Sequence, residues 1–306
     1  MYKRQADFYE SESVRVAVAL VSVFFTIFYI QVQSQGLGYI LSVASGNRIS
    51  FELGSLILLV VAAGYLIVGG LRAVYWTDML QGAWMYVAIW VGALVLTYEL
   101  FGSPVELWKR VALEHAELLT LPGPQGFFTP GMWSGFVVVF SFGVVFQHHI
   151  KKRYNTAVSG ETIKWLGATT PIFLMTLYIP AALVGLGGAL TMPELDVADR
   201  VFPEMLFEYA PAWLTGIILA GATAAAMSTL DSILHSNMTV LTRDVYQRYV
   251  TTDKDPAHYI FAGRLIVVAL LAAAAGALVR YAPVPLSLIP ISEPTRRGMG
   301  AYAVFW

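Results

Sequence analysis

The sequence predicts an all-α, polytopic membrane protein, and three observations carry that class. Charged residues make up only 13% of the 306 positions and hydrophobic residues 57%, where a soluble domain is about 25% charged. The mean hydropathy is +0.65. The apolar residues stand in long unbroken runs rich in Ala, Leu and Val, whereas the strands of a membrane barrel alternate over about ten residues.

A helix needs about 20 apolar residues to cross a bilayer. Seven runs qualify, roughly 13–42, 50–69, 78–100, 131–155, 163–190, 212–246 and 257–282. Several exceed the minimum, which implies tilt or extension beyond the bilayer. Gly69 and Gly70 are expected to end the second helix, and Thr77 or Asp78 to cap the third. Segments 102–130 and 191–211 read as loops rich in Pro and Trp, with Pro104, Glu106 and Leu107 marking a short surface helix. Trp76, Trp108, Trp133, Trp165 and Trp213 fall near predicted span ends, as an aromatic belt would. If the first helix starts in the cytoplasm, the inner connections hold twice as many Lys and Arg as the outer ones, which sets the orientation.

The polar first 13 residues and the length of the first apolar run do not match a cleavable signal peptide. MYKRQ at residues 1–5 and LSLIPISEPTR at Leu286–Arg296 resemble translated sequencing-library adapter. Residues 1–5 and 286–306 are therefore set aside as non-native, leaving 6–285 as a single transmembrane domain and an internal piece of a longer protein. The net charge of -1 gives no sign of a nucleic-acid partner, and the lack of cysteine excludes thiolate metal sites, disulfides and a cysteine nucleophile.

The chemistry concentrates in residues 221–248, GATAAAMSTLDSILHSNMTVLTRDVYQR. Ser228, Asp231, Ser232 and His235 fall at i, i+3, i+4 and i+7, which is one helix face, with Thr229 at its edge. Polar groups at that depth face protein or a water-filled path. The hydroxyls of Ser228 and Thr229, with the Ala225 carbonyl one turn earlier, are neutral hard oxygen donors. They suit a monovalent cation such as Na+, where a divalent ion would recruit several carboxylates. The small residues from Gly221 to Ala226 let a neighbouring backbone approach and supply further oxygens. Hydroxyls that merely bond back to their own helix, in a run of small residues that merely packs, explain the same pattern. Both readings stand at this point.

A second motif, GGLRAVYWTDMLQG at Gly69–Gly82, joins two spans. Together with AAAMSTLDSILHSNMTVLTRDVY at Ala224–Tyr246, it resembles the sodium:solute symporter family. FGVVFQHHIKKRYNT at Phe142–Thr156 looks like that family's G-x-x-x-x-P-H-I-x-x-R segment: His148 stands in place of the usual proline, while His149, Ile150 and Arg153 match. The resemblance covers nearly all of residues 10–282. It implies a LeuT-type inverted-repeat bundle of five plus five core helices, with sites near the bilayer midplane. The runs here would be core helices three to nine. It further implies a sodium site shared between the first and eighth core helices, of which this chain holds Ala225, Ser228 and Thr229. Asp78 would sit near the inner sodium exit, and His149 or Gln147 would face substrate.

Other readings remain for these residues. Asp78 serves equally as an N-cap or as a partner of Arg72, and His148 and His149 as interfacial residues. Asp231 fits a second cation or proton site, or a pair with His235 or a neighbouring helix. Gln31, Gln33, Ser34 and Gln35 on the first helix line a cavity or bond between helices. The expected function is sodium-coupled symport of a small organic solute, a monocarboxylate or an amino acid, across the plasma membrane. Na+ would be the coupling ion, with no organic cofactor. A proton-coupled carrier of the same fold is the alternative, as is a membrane piece that transports nothing alone. No repeated filter element supports a channel, and no nucleophile–base pair supports an enzyme.

Overall fold

The computed structural model describes residues 10–123, 126, 128–143, 150, 154, 157–195 and 197–281. Among them the regular structure is helical, and six helices are long and apolar enough to cross a membrane: Glu12–Ala44, Phe51–Gly69, Val74–Phe101, Gly160–Thr191, Ala212–Val250 and Pro256–Leu278. These match six of the seven expected spans. The remaining one, 131–155, is described as a helix from Pro130 that continues to Gly143. Most of its second half, Gln147, His148 and His149 included, lies outside the described residues, as do 1–5 and 286–306.

Helix α1, Glu12–Ala44, opens with an acidic residue in its first turn, which complements the helix dipole. Its end is closed by Gly46 at φ 62. Only glycine adopts that left-handed state at no cost, and there it lets the Asn47 and Gly46 amides donate to the Ser42 and Val43 carbonyls at 2.8 and 2.9 Å.

Helix α2 corrects the expected break at Gly69–Gly70. Its helical backbone runs from Phe51 to Phe101, and Thr77 and Asp78 lie inside it rather than at a cap. Thr77 instead donates its hydroxyl to the Val74 carbonyl at 3.0 Å. Yet α2 is not one straight rod. The Gln81 side chain lies beside the Tyr65 hydroxyl, and a straight helix would hold those two Cα atoms about 24 Å apart, beyond the reach of both side chains. The axis therefore folds back between them, as two successive spans require.

Gly102, at φ 78, ends α2. Ser103 then caps α3, Pro104–Glu114, its hydroxyl accepting from the Glu106 amide at 3.1 Å, with proline in the first turn. This is the surface helix read from Pro104, Glu106 and Leu107. Thr129 caps α4, Pro130–Val138, and Ser159 caps α5, Gly160–Thr191, which carries Pro171 and Pro180 in its interior. Helix α6, Val201–Tyr209, buries Val201, Met205 and Leu206. Helix α7, Ala212–Val240, continues as a π-helix over Leu241–Val250, and α8 spans Pro256–Tyr281.

The chain forms two compact units. One comprises the residues up to Gly38, Ile49–Gly82 and those from Ala225 through α8; the other comprises Tyr39–Arg48 and Ala83–Ala224. The second unit is built on an apolar cluster that includes Leu96, Phe101, Leu107, Val184, Met205, Leu206 and Ile218. Its glycines set close packing: a Cβ on Gly221 would meet the Ala88 Cβ at 2.3 Å, and one on Gly188 would strike the Val201 side chain. The first unit is polar at its centre, where Gln31, Ser34, Gln35, Asp231, Ser232, His235 and Asn237 are all buried. Large apolar side chains such as Phe25, Val60, Ile172 and Met175 face outward, the reverse of a protein dissolved in water. The five tryptophans read as a belt are all exposed.

Candidate functional site

The α7 helix brings the expected donors together. The Ser228 hydroxyl donates to the Ala225 carbonyl at 2.9 Å, and the Thr229 hydroxyl approaches the same oxygen at 3.5 Å. All three residues are half-buried. Three oxygens thus converge on one patch of helix. The Ser228 hydroxyl turns its proton back toward the helix, which leaves its lone pairs pointing away from it. The same back-bonding is how a hydroxyl satisfies itself in an apolar helix.

One turn further along, the polar groups engage α2. The Tyr65 hydroxyl donates to Asp231 Oδ2 at 2.6 Å, and Asp231 is fully buried. The Ser232 hydroxyl donates to Asp78 Oδ2 at 3.0 Å. Of the two alternatives for Asp231, the neighbouring span supplies this bond. Asp78 is held by α7 in mid-helix and caps nothing. Two carboxylates, a phenol, a hydroxyl and the Gln81 amide thus gather where α2 folds back against α7. Placing carboxylates at such depth is costly unless hydrogen bonds, a proton or a cation offset their charge.

Tyr65 and Gln81 were not read from the sequence. Gln81 lies inside the quoted motif at Gly69–Gly82, and Tyr65 is a lone polar-tipped ring in an otherwise apolar run. Both were signals of depth that only the fold-back of α2 connects to Asp231. The glutamine stripe of α1 is buried at Gln31 and Gln35, and Ser34 bonds to the carbonyls of Ile30 and Gln31 of its own helix, at 2.8 and 2.9 Å. His235 is buried on α7, its carbonyl accepting from Thr239 at 2.8 Å.

Comparison with known proteins identifies the family. A model of the sodium:solute symporter family matches residues 4–283. The chain is 28% identical over 268 residues to the sodium/proline symporter of Escherichia coli (strain K12), covering 76% of this chain and 51% of that protein. It is 27% identical over 198 residues to the sodium/pantothenate symporter of Haemophilus influenzae, covering 65% of this chain and 41% of that one. It is 25% identical over 293 residues to the sodium/glucose cotransporter of Vibrio parahaemolyticus, covering 87% and 54%. The chain therefore spans about half the length of these relatives. Among solved structures, a substrate-bound outward-open Na+-coupled sialic acid symporter shares the fold with a TM-score of 0.67 at 16% identity, covering 88% of this chain and 59% of that one. A multi-pass bundle whose sequence matches the family model over nearly its whole length has one assignment: the chain belongs to the sodium:solute symporter family.

Proposed function

We propose that the chain takes part in sodium-coupled symport of a small organic solute across the plasma membrane, a monocarboxylate or an amino acid being preferred, and that Ala225, Ser228 and Thr229 form its share of the sodium site. The observation that carries this reading is the convergence of two hydroxyls on one carbonyl of a membrane helix. Neutral oxygens satisfy a monovalent ion without trapping it, and an ion that must be released is better served by dipoles than by full charges. Sodium bound there favours one conformation of the carrier because it binds that conformation better. One charge moving through 100 mV supplies about 2.3 kcal/mol to the cycle. Asp231, one turn along α7 from the hydroxyl pair, and Asp78 of α2, bonded to Ser232 beside it, form a second polar station on the ion's inward route. His149 and Gln147 are assigned to the substrate side on the motif alone.

The test is uptake of labelled proline and lactate into proteoliposomes by the full-length transporter that contains these residues, under an imposed sodium gradient. Replacing Ser228 and Thr229 together by Ala is expected to remove sodium activation. Uptake that keeps its full response to sodium in that variant rejects the site. Proton coupling is the second reading, favoured by the burial of Asp231 against Tyr65. Uptake driven by a pH gradient without sodium decides for it.

A further inference from the structure

Helix α7 does not stop at its membrane-spanning length but winds on as a π-helix over ten residues, Leu241–Val250. Runs of i→i+5 bonding this long are rare, and π-segments concentrate at functional places in helices. Winding these ten residues as α-helix instead would turn the last of them by roughly half a turn about the axis. What holds the last residues where they are is therefore decisive.

Two contacts do so. Near the segment's far end, Arg248 Nη2 donates to Glu12 Oε1 at 2.6 Å and the Tyr249 hydroxyl donates to Glu12 Oε2 at 2.8 Å. Arg15, itself buried, brings its Nε within 3.3 Å of the same carboxylate oxygen. Midway along, the Tyr246 ring stacks on His258 of α8, with the hydroxyl 3.0 Å from Nε2. An isolated exposed ion pair is worth little. Here a single carboxylate receives a hydrogen bond on each oxygen from residues far along the chain, with the Arg15 guanidinium beside it as a further cation. Both contacts use side chains whose direction depends on the π winding.

We propose that Glu12, Arg248 and Tyr249 form a clasp that holds the end of α7 in its π register, and that this end has two states. In the closed state the segment is π-wound and fastened to the start of α1. In the open state it rewinds as α-helix and Arg248 and Tyr249 swing to the other side of the axis, away from Glu12. Opening the clasp thus exchanges i→i+5 for i→i+4 backbone bonds along 241–250 and rotates the tail of the helix that carries Ser228 and Asp231. Arg243 and Asp244 lie on the same segment and ride with the rotation.

Hydrogen–deuterium exchange of the 306-residue chain in nanodiscs tests the clasp, in choline buffer without sodium so that the outcome is independent of the sodium site. Glu12→Gln is expected to speed exchange of amides in 241–250 by at least tenfold, while 212–240 keeps its rate. Tyr249→Phe, which removes one donor and keeps the ring, is expected to give a smaller acceleration confined to the same peptides. Exchange of 241–250 at the unaltered rate in Tyr249→Phe overturns the proposal, whether or not Glu12→Gln folds. So does an acceleration spread evenly over all of α7.

Discussion

The hydroxyl of Tyr65 donates to the buried carboxylate of Asp231 at 2.6 Å, joining the first limb of α2 to the middle of α7. Charged acceptors make strong hydrogen bonds, and in a low-dielectric interior a lost donor is not replaced by water. Tyr65→Phe is therefore expected to destabilise the protein by about 1–3 kcal/mol. Thermal unfolding followed by tryptophan fluorescence checks this. Asp231→Asn in the Tyr65→Phe background is expected to recover part of the loss, since a neutral amide needs the phenol less. Equal, additive losses for the two changes would mean the bond contributes nothing.

The glycine at 221 is expected to be a packing position rather than a conformational one. A methyl group there would lie 2.3 Å from the Ala88 Cβ and 2.9 Å from Trp84 Cδ1, and the indole is already fixed by its bond to the Ile217 carbonyl at 3.3 Å. Gly221→Ala should cost about 1–3 kcal/mol through overpacking. Gly216→Ala, with nothing within 4 Å of its added methyl, should instead stabilise the same helix by about 0.5–1 kcal/mol. Melting temperatures of the two variants, moving in opposite directions, are the check.

Asp199, in the loop between α5 and α6, has its carboxyl pushed up to about 6 by burial. A carboxyl that binds its proton more tightly folded than unfolded stabilises the fold at low pH. That contribution is complete below the unfolded value near 4 and is lost as pH rises through about 6. Asp199→Asn should abolish this dependence and leave the protein more stable than the parent at pH 7, by up to about 3 kcal/mol. Unfolding curves taken between pH 4 and pH 7 measure it. A parent curve that is flat over that window would contradict the assignment.

Ser228→Ala alone is expected to raise the sodium concentration for half-maximal uptake about tenfold while leaving stability within about 0.5 kcal/mol, since the lost hydroxyl bonds only to its own helix. Sodium titration of uptake alongside thermal unfolding separates these two effects. A variant equally impaired in both would make Ser228 a structural residue.

Spans and the surface helix were legible because each has a local cause: apolar length marks the spans, and Pro104, Glu106 and Leu107 mark the short helix at Pro104–Glu114. The face of α7 was legible too, since helical spacing alone puts Ser228, Asp231, Ser232 and His235 on one side. Gly69–Gly70 were expected to end a helix; the two spans do separate there, at Gly69 and Val74, while the helical backbone is assigned from Phe51 through Phe101. The Tyr65–Asp231 and Asp78–Ser232 bonds were out of reach for a different reason. They join residues 166 and 154 positions apart, and no spacing rule spans such a gap. The π winding of 241–250 was equally invisible: its composition is that of an ordinary amphipathic helix end.

Helix α5 carries a proline at the border between two environments. Residues ahead of Pro180 are mostly exposed, while Ala181, Leu183, Val184, Leu186, Gly187 and Gly188 beyond it are buried. Proline withholds one amide from the ladder and crowds the carbonyl a turn back. The element therefore behaves as a mast stepped into a fixed socket, with its joint at deck level. Ahead of the joint Phe173 stacks on Tyr86 of α2, 5.3 Å between ring centroids, so a length that leans with bilayer thickness carries that contact with it while the footing against α6 stays put.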